Sequence, residues 1–308
     1  MKNEILSRSN IKKLRPDADI KNGCAIAVGS FDGVHIGHRE MIKALVSEAK
    51  RLNAVAAVFT FDTDDNPKDN SKLLADGEKK DEILLSLGVD VVISAPFSAV
   101  KNVSAVDFAS ALFYSFGAKT VICGYDFRFG KDRLGDVSLI KELLSPMGVE
   151  VITPNAVCVG DTPVSSTLIR KLISDGEIEK ANELLGRDFS FSCEIVHGAG
   201  LARELGFPTA NQVYPEKLSL LRFGVYATEF TLCGKTYKGV TNVGVKPTFG
   251  DCKVPLCETY LFGFEGDCYG NIAEISFKSF IRPEIRFNSK EELAARVEED
   301  KKKALESF

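Results

Sequence analysis

The stretch VGSFDGVHIGH, residues 28–38, constrains this chain more than any other. The apolar run at 25–28 reads as a buried strand, and over 39–50 apolar residues recur at helical spacing. A strand, a glycine-bearing turn and a helix in that order place the turn at the C-terminal edge of a parallel sheet, where α/β proteins bind ligands. His35 and His38, two of only three histidines in the chain, are three apart and share one face of the first helical turn. Gly37 leaves that face bare between them, and the helix start adds free N–H groups and a positive dipole end. The combination reads as a phosphate site with two imidazole donors. A metal site is disfavoured, because one helical turn supplies only two ligands and no Cys or Asp/Glu pair of suitable spacing is near.

A length of 308 residues points to two domains. With 44% hydrophobic and 27% charged residues the composition is that of a globular protein, so sequence order rather than bulk character must carry the functional argument. The net charge of −4, with both signs interleaved, gives no sign of a nucleic-acid footprint. Residues 1–23 lack an apolar core, and no apolar run approaches the ~18 residues of a membrane span, so neither a signal peptide nor a span is expected. Eight cysteines without a CxxC spacing are expected as reduced thiols, which suits a cytoplasmic location.

Along the first half, strand and helix alternate. Strands are expected at 54–61, 89–94, 120–124 and 150–154, and helices at 79–87, 105–116 and 138–147, with a polar loop at 62–76. That rhythm predicts a doubly wound parallel sheet. Helices at 165–174 and 178–185 follow, and then the pattern changes. Short strands at 192–196, 224–232, 235–243, 257–262 and 272–280, with no helical period between them, predict an antiparallel barrel. A charged helix over 290–307, capped by Ser289, closes the chain. The boundary falls at 186/187, giving domains 1–186 and 187–308.

Further strings carry chemistry. In VSSTLIR, 164–170, the hydroxyls of Ser165, Ser166 and Thr167 would ordinarily be helix caps. Arg170 lies one turn on, on the face of Ser166 and Thr167, which turns the cap into a clamp for the β- and γ-phosphates of a triphosphate. CGYDFRFG at 123–130 follows a strand, and LGFPTAN at 205–211 would alone be only a turn. NVGVKPTF at 242–249, CET at 257–259, DCYG at 267–270 and RPEIRF at 282–287 complete the set. HxGH with SSTxIR is similar to the nucleotidylyltransferase superfamily; class I aminoacyl-tRNA synthetases share the former but carry KMSKS in place of the latter. All the strings, in this order from about residue 26 to 304, resemble the bacterial bifunctional riboflavin kinase/FAD synthetase (FMN adenylyltransferase) family.

The resemblance implies a Rossmann-like, doubly wound nucleotidylyltransferase domain followed by a six-stranded antiparallel β-barrel with a C-terminal helix. It implies ATP and Mg²⁺ in both halves, with riboflavin, FMN and FAD as substrates and products. ATP contacts carry over to Gly29, Phe31, Asp32, Gly37, Asp126, Ser165, Ser166 and Thr167, and in the barrel to Gly206, Pro208, Thr209 and Asn211. Thr209 and Asn211 would also ligate Mg²⁺, a hard cation suited to neutral oxygens. His35, His38 and Arg170 would promote adenylyl transfer, and Glu258 would be the general base of the kinase. Phe61, Phe127, Arg282 and Phe287 would border the flavin. The expected partners are small molecules, with no nucleic acid and no membrane, and self-association into a homo-oligomer is left open.

Two departures stand out. The family's TFDPHP is replaced by Thr60-Phe61-Asp62-Thr63-Asp64-Asp65. Carboxylates beside phosphates are adverse unless Mg²⁺ intervenes. Cys193 and Ala202 stand where the family has glycines before GFPTAN, although Gly198, Gly200 and Arg203 remain. Other readings are therefore a monofunctional riboflavin kinase with an inactive first half, a nicotinate mononucleotide-type adenylyltransferase, or a non-catalytic flavin-binding regulator. The GFPTAN string speaks against the second, and Glu258 with Thr209 and Asn211 against the third.

Overall fold

A computed structural model describes residues 12–14, 23–62, 72–198, 209–245, 254–287 and 289–308. By its contacts the chain forms two compact units, Met1–Ser71 with Asp76–Ser165, and Lys72–Ala75 with Ser166–Phe308.

The first unit is built on a six-stranded sheet of order β1-β4-β3-β2-β5-β6. Its strands are β1 (Lys12–Leu14), β2 (Cys24–Val28), β3 (Val55–Phe61), β4 (Val91–Ala95), β5 (Ala118–Cys123) and β6 (Glu150–Ile152). β2 to β6 are parallel, as their apolar runs predict, while β1 adds an antiparallel edge on β4. That edge strand, Lys-Lys-Leu, was invisible in the sequence because it carries no apolar alternation.

Successive side chains of β2 serve opposite layers. Cys24, Ile26 and Val28 join Phe59 and Ile93 under α4 (Ala105–Tyr114) and α5 (Val137–Leu144). Ala25 and Ala27 join Val58 and Val92 under α1 (Ile36–Leu52) and α2 (Gly77–Ser86). Between β4 and α4 lies the single turn α3 (Phe97–Val100). β2 is flanked by β3 on one side and β5 on the other, so the strand order reverses there, the switch point at whose C-terminal edge such sheets bind ligands. Helix starts are capped by Asp76, Ser104 and Asp136, each accepting a backbone N–H bond. A two-stranded ribbon, β7 (Cys158–Val159) with β8 (Thr162–Pro163), follows.

The second unit is a closed antiparallel barrel in the order β10-β13-β12-β11-β14-β9. The strands are β9 (Phe189–Val196), β10 (Thr209–Val213), β11 (Gly224–Leu232), β12 (Lys235–Val245), β13 (Pro255–Leu261) and β14 (Ile272–Pro283). β10 is the closing strand that the sequence disguised, since its first half is the TAN of GFPTAN. Phe189, Phe191, Tyr226, Phe230 and Phe277 are fully buried, each contributing roughly 1.5–3 kcal/mol by area. The last helix, α8 (Lys290–Leu305), packs Ala304 against Val225, Ala227 and Val240 on β11 and β12.

Helices α6 (Ser166–Asp175) and α7 (Ile178–Leu185) belong to this unit by their contacts. Asn182 explains much of it: its amide donates to the Phe277 carbonyl at 2.8 Å and accepts from the Phe189 N–H at 2.8 Å. The division by contacts thus comes one helical hairpin before 186/187. The short segment Lys72–Ala75 also joins the barrel unit, bonding Leu73 N–H to the Lys217 carbonyl and its own carbonyl to Ser219 N–H. Seven cysteines carry free thiols in the structure, and Cys252 lies outside the described residues.

Candidate active sites

The turn after β2 is wound left-handed at three places, with φ of 49° at Phe31, 76° at Gly33 and 42° at Val34. For the β-branched Val34 that conformation stores on the order of 1–3 kcal/mol of strain, which burial of Phe31 and Val34 beneath α1 and α2 offsets. A Cβ at Gly29 would come within 3.2 Å of the Phe31 ring, which would have to give by a few tenths of an ångström.

His35 is the N-cap of α1, its Nδ1 accepting the His38 N–H at 3.4 Å. With Nδ1 an acceptor, the proton of a neutral His35 sits on Nε2, which becomes the donor. The rings of His35 and His38 are stacked at 3.6 Å between centroids and 19° between planes. A Cβ on Gly37 would approach the His35 ring to 3.2 Å and press on the stack, whereas glycine leaves it room. Burial pushes His35 down to about 4, and burial with the neighbouring His35 pushes His38 well below 6.5. Both rings are therefore neutral at pH 7 and offer N–H donors rather than cationic charge.

Parallel register sets Val28 beside Phe59 on one side and Cys123 on the other, so the loops after β2, β3 and β5 share one edge. Asp126 is exposed there, with Oδ1 folded against Gly124. Phe127 stacks on Phe129 at 5.4 Å, and Phe129 packs on Phe108 at 5.5 Å. Phe61 meets Phe97 edge-on at 5.5 Å. Gly29, Phe31, Asp32, His35, Gly37, His38, Phe61, Asp126 and Phe127 thus gather at the edge the sequence pointed to. Thr63, Asp64 and Asp65 lie outside the described residues. Sequence reasoning missed Lys80, a buried lysine on α2 that reaches the end of β3. Its signal was available: 80, 83, 84 and 87 are the inward positions of an amphipathic helix.

Ser166 and Thr167 open α6, Ser165 precedes it, and Arg170 lies one turn in. Arg170 is half-buried and its Nε donates to the Lys72 carbonyl at 2.6 Å. Buried Ile169 and Ile173 hold the helix down on either side of it.

In the barrel, backbone register assembles a row across its strands. Val196 pairs with Asn211, Asn211 with Glu258, Glu258 with Asn242, Asn242 with Val225, and Val225 with Arg282. Cross-strand partners share a face, so Glu258 is flanked by two asparagine amides on the face that α8 partly covers. Asn242 was quoted in a motif but not recognised as the other neighbour of Glu258. Asn211 is only 4% exposed, lies beneath Gly198 and bonds through Nδ2 to the Thr209 carbonyl. Its Oδ1 is sealed and finds no donor among the described residues. An orphaned neutral oxygen suits a hard cation, and no cluster of three acidic, His or Cys ligands exists among the described residues to cage one. Thr209 and Asn211 therefore fit a cation held largely by substrate phosphates. Gly206 and Pro208 lie outside the described residues.

Arg282 is buried and forked onto Asp300 of α8, through Nε at 2.9 and 3.0 Å and through its terminal nitrogen at 2.6 Å. Its other terminal nitrogen bonds the Pro283 carbonyl, and Phe287 lies over the guanidinium at 5.8 Å. Arg282 thus anchors α8 and carries Phe287.

Comparison with known proteins agrees with this division of labour. A family model for FAD synthetase matches residues 17–168, and one for riboflavin kinase matches 185–308. The bifunctional riboflavin kinase/FMN adenylyltransferase of Listeria monocytogenes is 33% identical over 281 residues, 89% of each chain. That of Escherichia coli K12 is 33% identical over 299 residues, 94% of each chain. A solved structure from Streptococcus pneumoniae, described as a macrolide-efflux protein, is 26% identical with a TM-score of 0.85, covering 94% of this chain and 96% of its own. The chain belongs to the bifunctional riboflavin kinase/FMN adenylyltransferase family.

Proposed function

We propose that the barrel phosphorylates riboflavin to FMN and that the α/β unit adenylylates FMN to FAD. The observation that carries the reading is the placement of Glu258 between Asn211 and Asn242, on the riboflavin kinase half of a chain whose other half holds the stacked His35–His38 pair. In the kinase reaction Glu258 takes the proton of the riboflavin 5′-hydroxyl as that oxygen bonds to the γ-phosphorus, and ADP leaves. Thr209 and the unpaired Asn211 Oδ1 would hold Mg²⁺, which when bound would offset the charge of the ATP phosphates. Phe287, propped on Arg282, supplies an aromatic edge for the flavin.

In the second reaction an FMN phosphate oxygen bonds to the α-phosphorus of ATP, the bond to the bridging oxygen breaks, and pyrophosphate departs. No protein nucleophile is needed, so position and charge stabilisation supply the rate. His35 and His38 donate N–H bonds to the phosphates, and Ser165, Ser166, Thr167 and Arg170 act as their clamp. Gly29, Phe31, Asp32, Gly37 and Asp126 bound the ATP site, and Phe61 and Phe127 the flavin. The loop with Asp64 and Asp65 is a tolerated replacement in this scheme. The chain works on small molecules, and a cytoplasmic location suits it. Among the described residues no helix is long and apolar enough to cross a membrane, and the efflux description stays with the pneumococcal protein.

Separate assays test the two halves. Riboflavin with MgATP should yield FMN and ADP, and FMN with MgATP should yield FAD and pyrophosphate. Failure of the second alone would leave a riboflavin kinase; failure of both would leave a flavin-binding protein without turnover.

A further inference from the structure

Lys80 occupies a position where the fold calls for an apolar side chain. On α2 it points inward with Ile83 and Leu84 and is only 3% exposed. A buried ammonium is costly unless it is bonded and paired, so its partners show what holds it there. Its Nζ donates to the Phe61 carbonyl at 2.8 Å and to Thr60 Oγ1 at 3.3 Å. The single hydroxyl proton of Thr60 goes on to the Ser30 carbonyl at 2.9 Å. The chain is directional, from ammonium to hydroxyl to the carbonyl that opens the phosphate turn. Burial pushes the ammonium below the usual lysine pKa, and the charges of Asp81, Asp32 and Asp62 counter this only in part. Immediately beyond Ser30 the backbone enters its left-handed stretch at Phe31, and such strain persists only where the surroundings over-determine it.

We infer that Lys80 is a positioning residue for adenylyl transfer. Through Thr60 it pins Ser30, and through the Phe61 carbonyl it fixes the end of β3, so that the strained turn keeps His35 and His38 aimed. Its charge also attracts Asp32 and Asp62. Lys80 does not touch the nucleotide; it acts through the turn. The inference rests on reading this unit as the adenylyltransferase.

The test uses K80M, which keeps length and loses charge and donors, and T60V, which keeps shape and loses the relay. In the full chain, kcat for FAD formation from FMN should fall about 10- to 100-fold in K80M and less in T60V. The double variant should be no worse than K80M alone, since both cut one path. Riboflavin phosphorylation by the same molecules should stay within about twofold, which certifies the preparation. The ring signals of His35 and His38 in proton NMR should move in K80M while those of His197 stay. FAD formation within about twofold of the parent, additive losses, or unmoved His35 and His38 signals would each overturn the inference. So would a loss recovered on cooling, which marks mere destabilisation. A parent chain that makes no FAD from FMN would instead contradict the underlying reading, and shows itself before any variant is compared.

Discussion

Asn211 and Glu258 face each other across β10 and β13, with Asn242 on the far side of Glu258. The register thereby sets a neutral asparagine on each side of the carboxylate-bearing residue. E258Q preserves the shape and removes the base. Riboflavin phosphorylation should fall by about 10²- to 10⁴-fold, while FAD formation from supplied FMN stays at the parental rate. Kinase turnover within tenfold of the parent would remove Glu258 from the role of base.

Asn211 predicts a metal phenotype. N211A removes the unpaired Oδ1, so the Mg²⁺ concentration giving half-maximal kinase rate should rise about tenfold or more. A Mg²⁺ titration of both activities checks it, because the adenylyl-transfer curve should not move. G198A should act in the same direction, since its Cβ would fall on the Asn211 amide.

The buried histidines set a pH dependence of stability. His35 titrates at about 4 in the fold against 6.5 when unfolded, so between those values the unfolded chain binds the extra proton. Stability should therefore be full above about pH 6.5 and decline by roughly 3 kcal/mol for this ring as pH falls towards 4. H35N retains a side-chain cap for α1 but cannot titrate. Urea unfolding of the α/β unit, followed from pH 7.5 to 4, should have a flatter pH profile in H35N, and its FAD formation should be lost.

The fork from Arg282 to Asp300 predicts a stability phenotype in the barrel. D300A leaves a buried guanidinium without its carboxylate, at a cost of about 3–5 kcal/mol. Because Phe287 rests on the same guanidinium, the KM for riboflavin should rise as well. Denaturant unfolding with kinase kinetics checks both, and an unchanged midpoint would refute the structural role.

Strong local patterns carried most of this fold. The all-apolar β2 and the helical period after His35 placed the turn that carries His35 and His38 at the sheet edge, where the structure has it. The barrel was legible from short strands between Gly and Pro, with one omission. β10 hid inside GFPTAN because a proline before Thr209 reads as a turn, and only the ladder with β13 makes those residues a strand. Arg282 shows the other limit. The motif marked it for the flavin, but a sequence cannot announce that Asp300, on α8, claims its guanidinium. Lys80 escaped because a lysine among Lys79, Asp81 and Glu82 looks like solvent-facing charge until the helix is turned to its inward face.

A one-pot time course tests the central claim most directly. Riboflavin with excess ATP and Mg²⁺ is incubated with the intact protein, and riboflavin, FMN and FAD are separated by chromatography. FMN should rise first and then give way to FAD, and E258Q should form FAD only when FMN is supplied. FMN accumulating without FAD would show that the α/β unit does not transfer adenylyl groups, and absence of FMN would contradict the account at its centre.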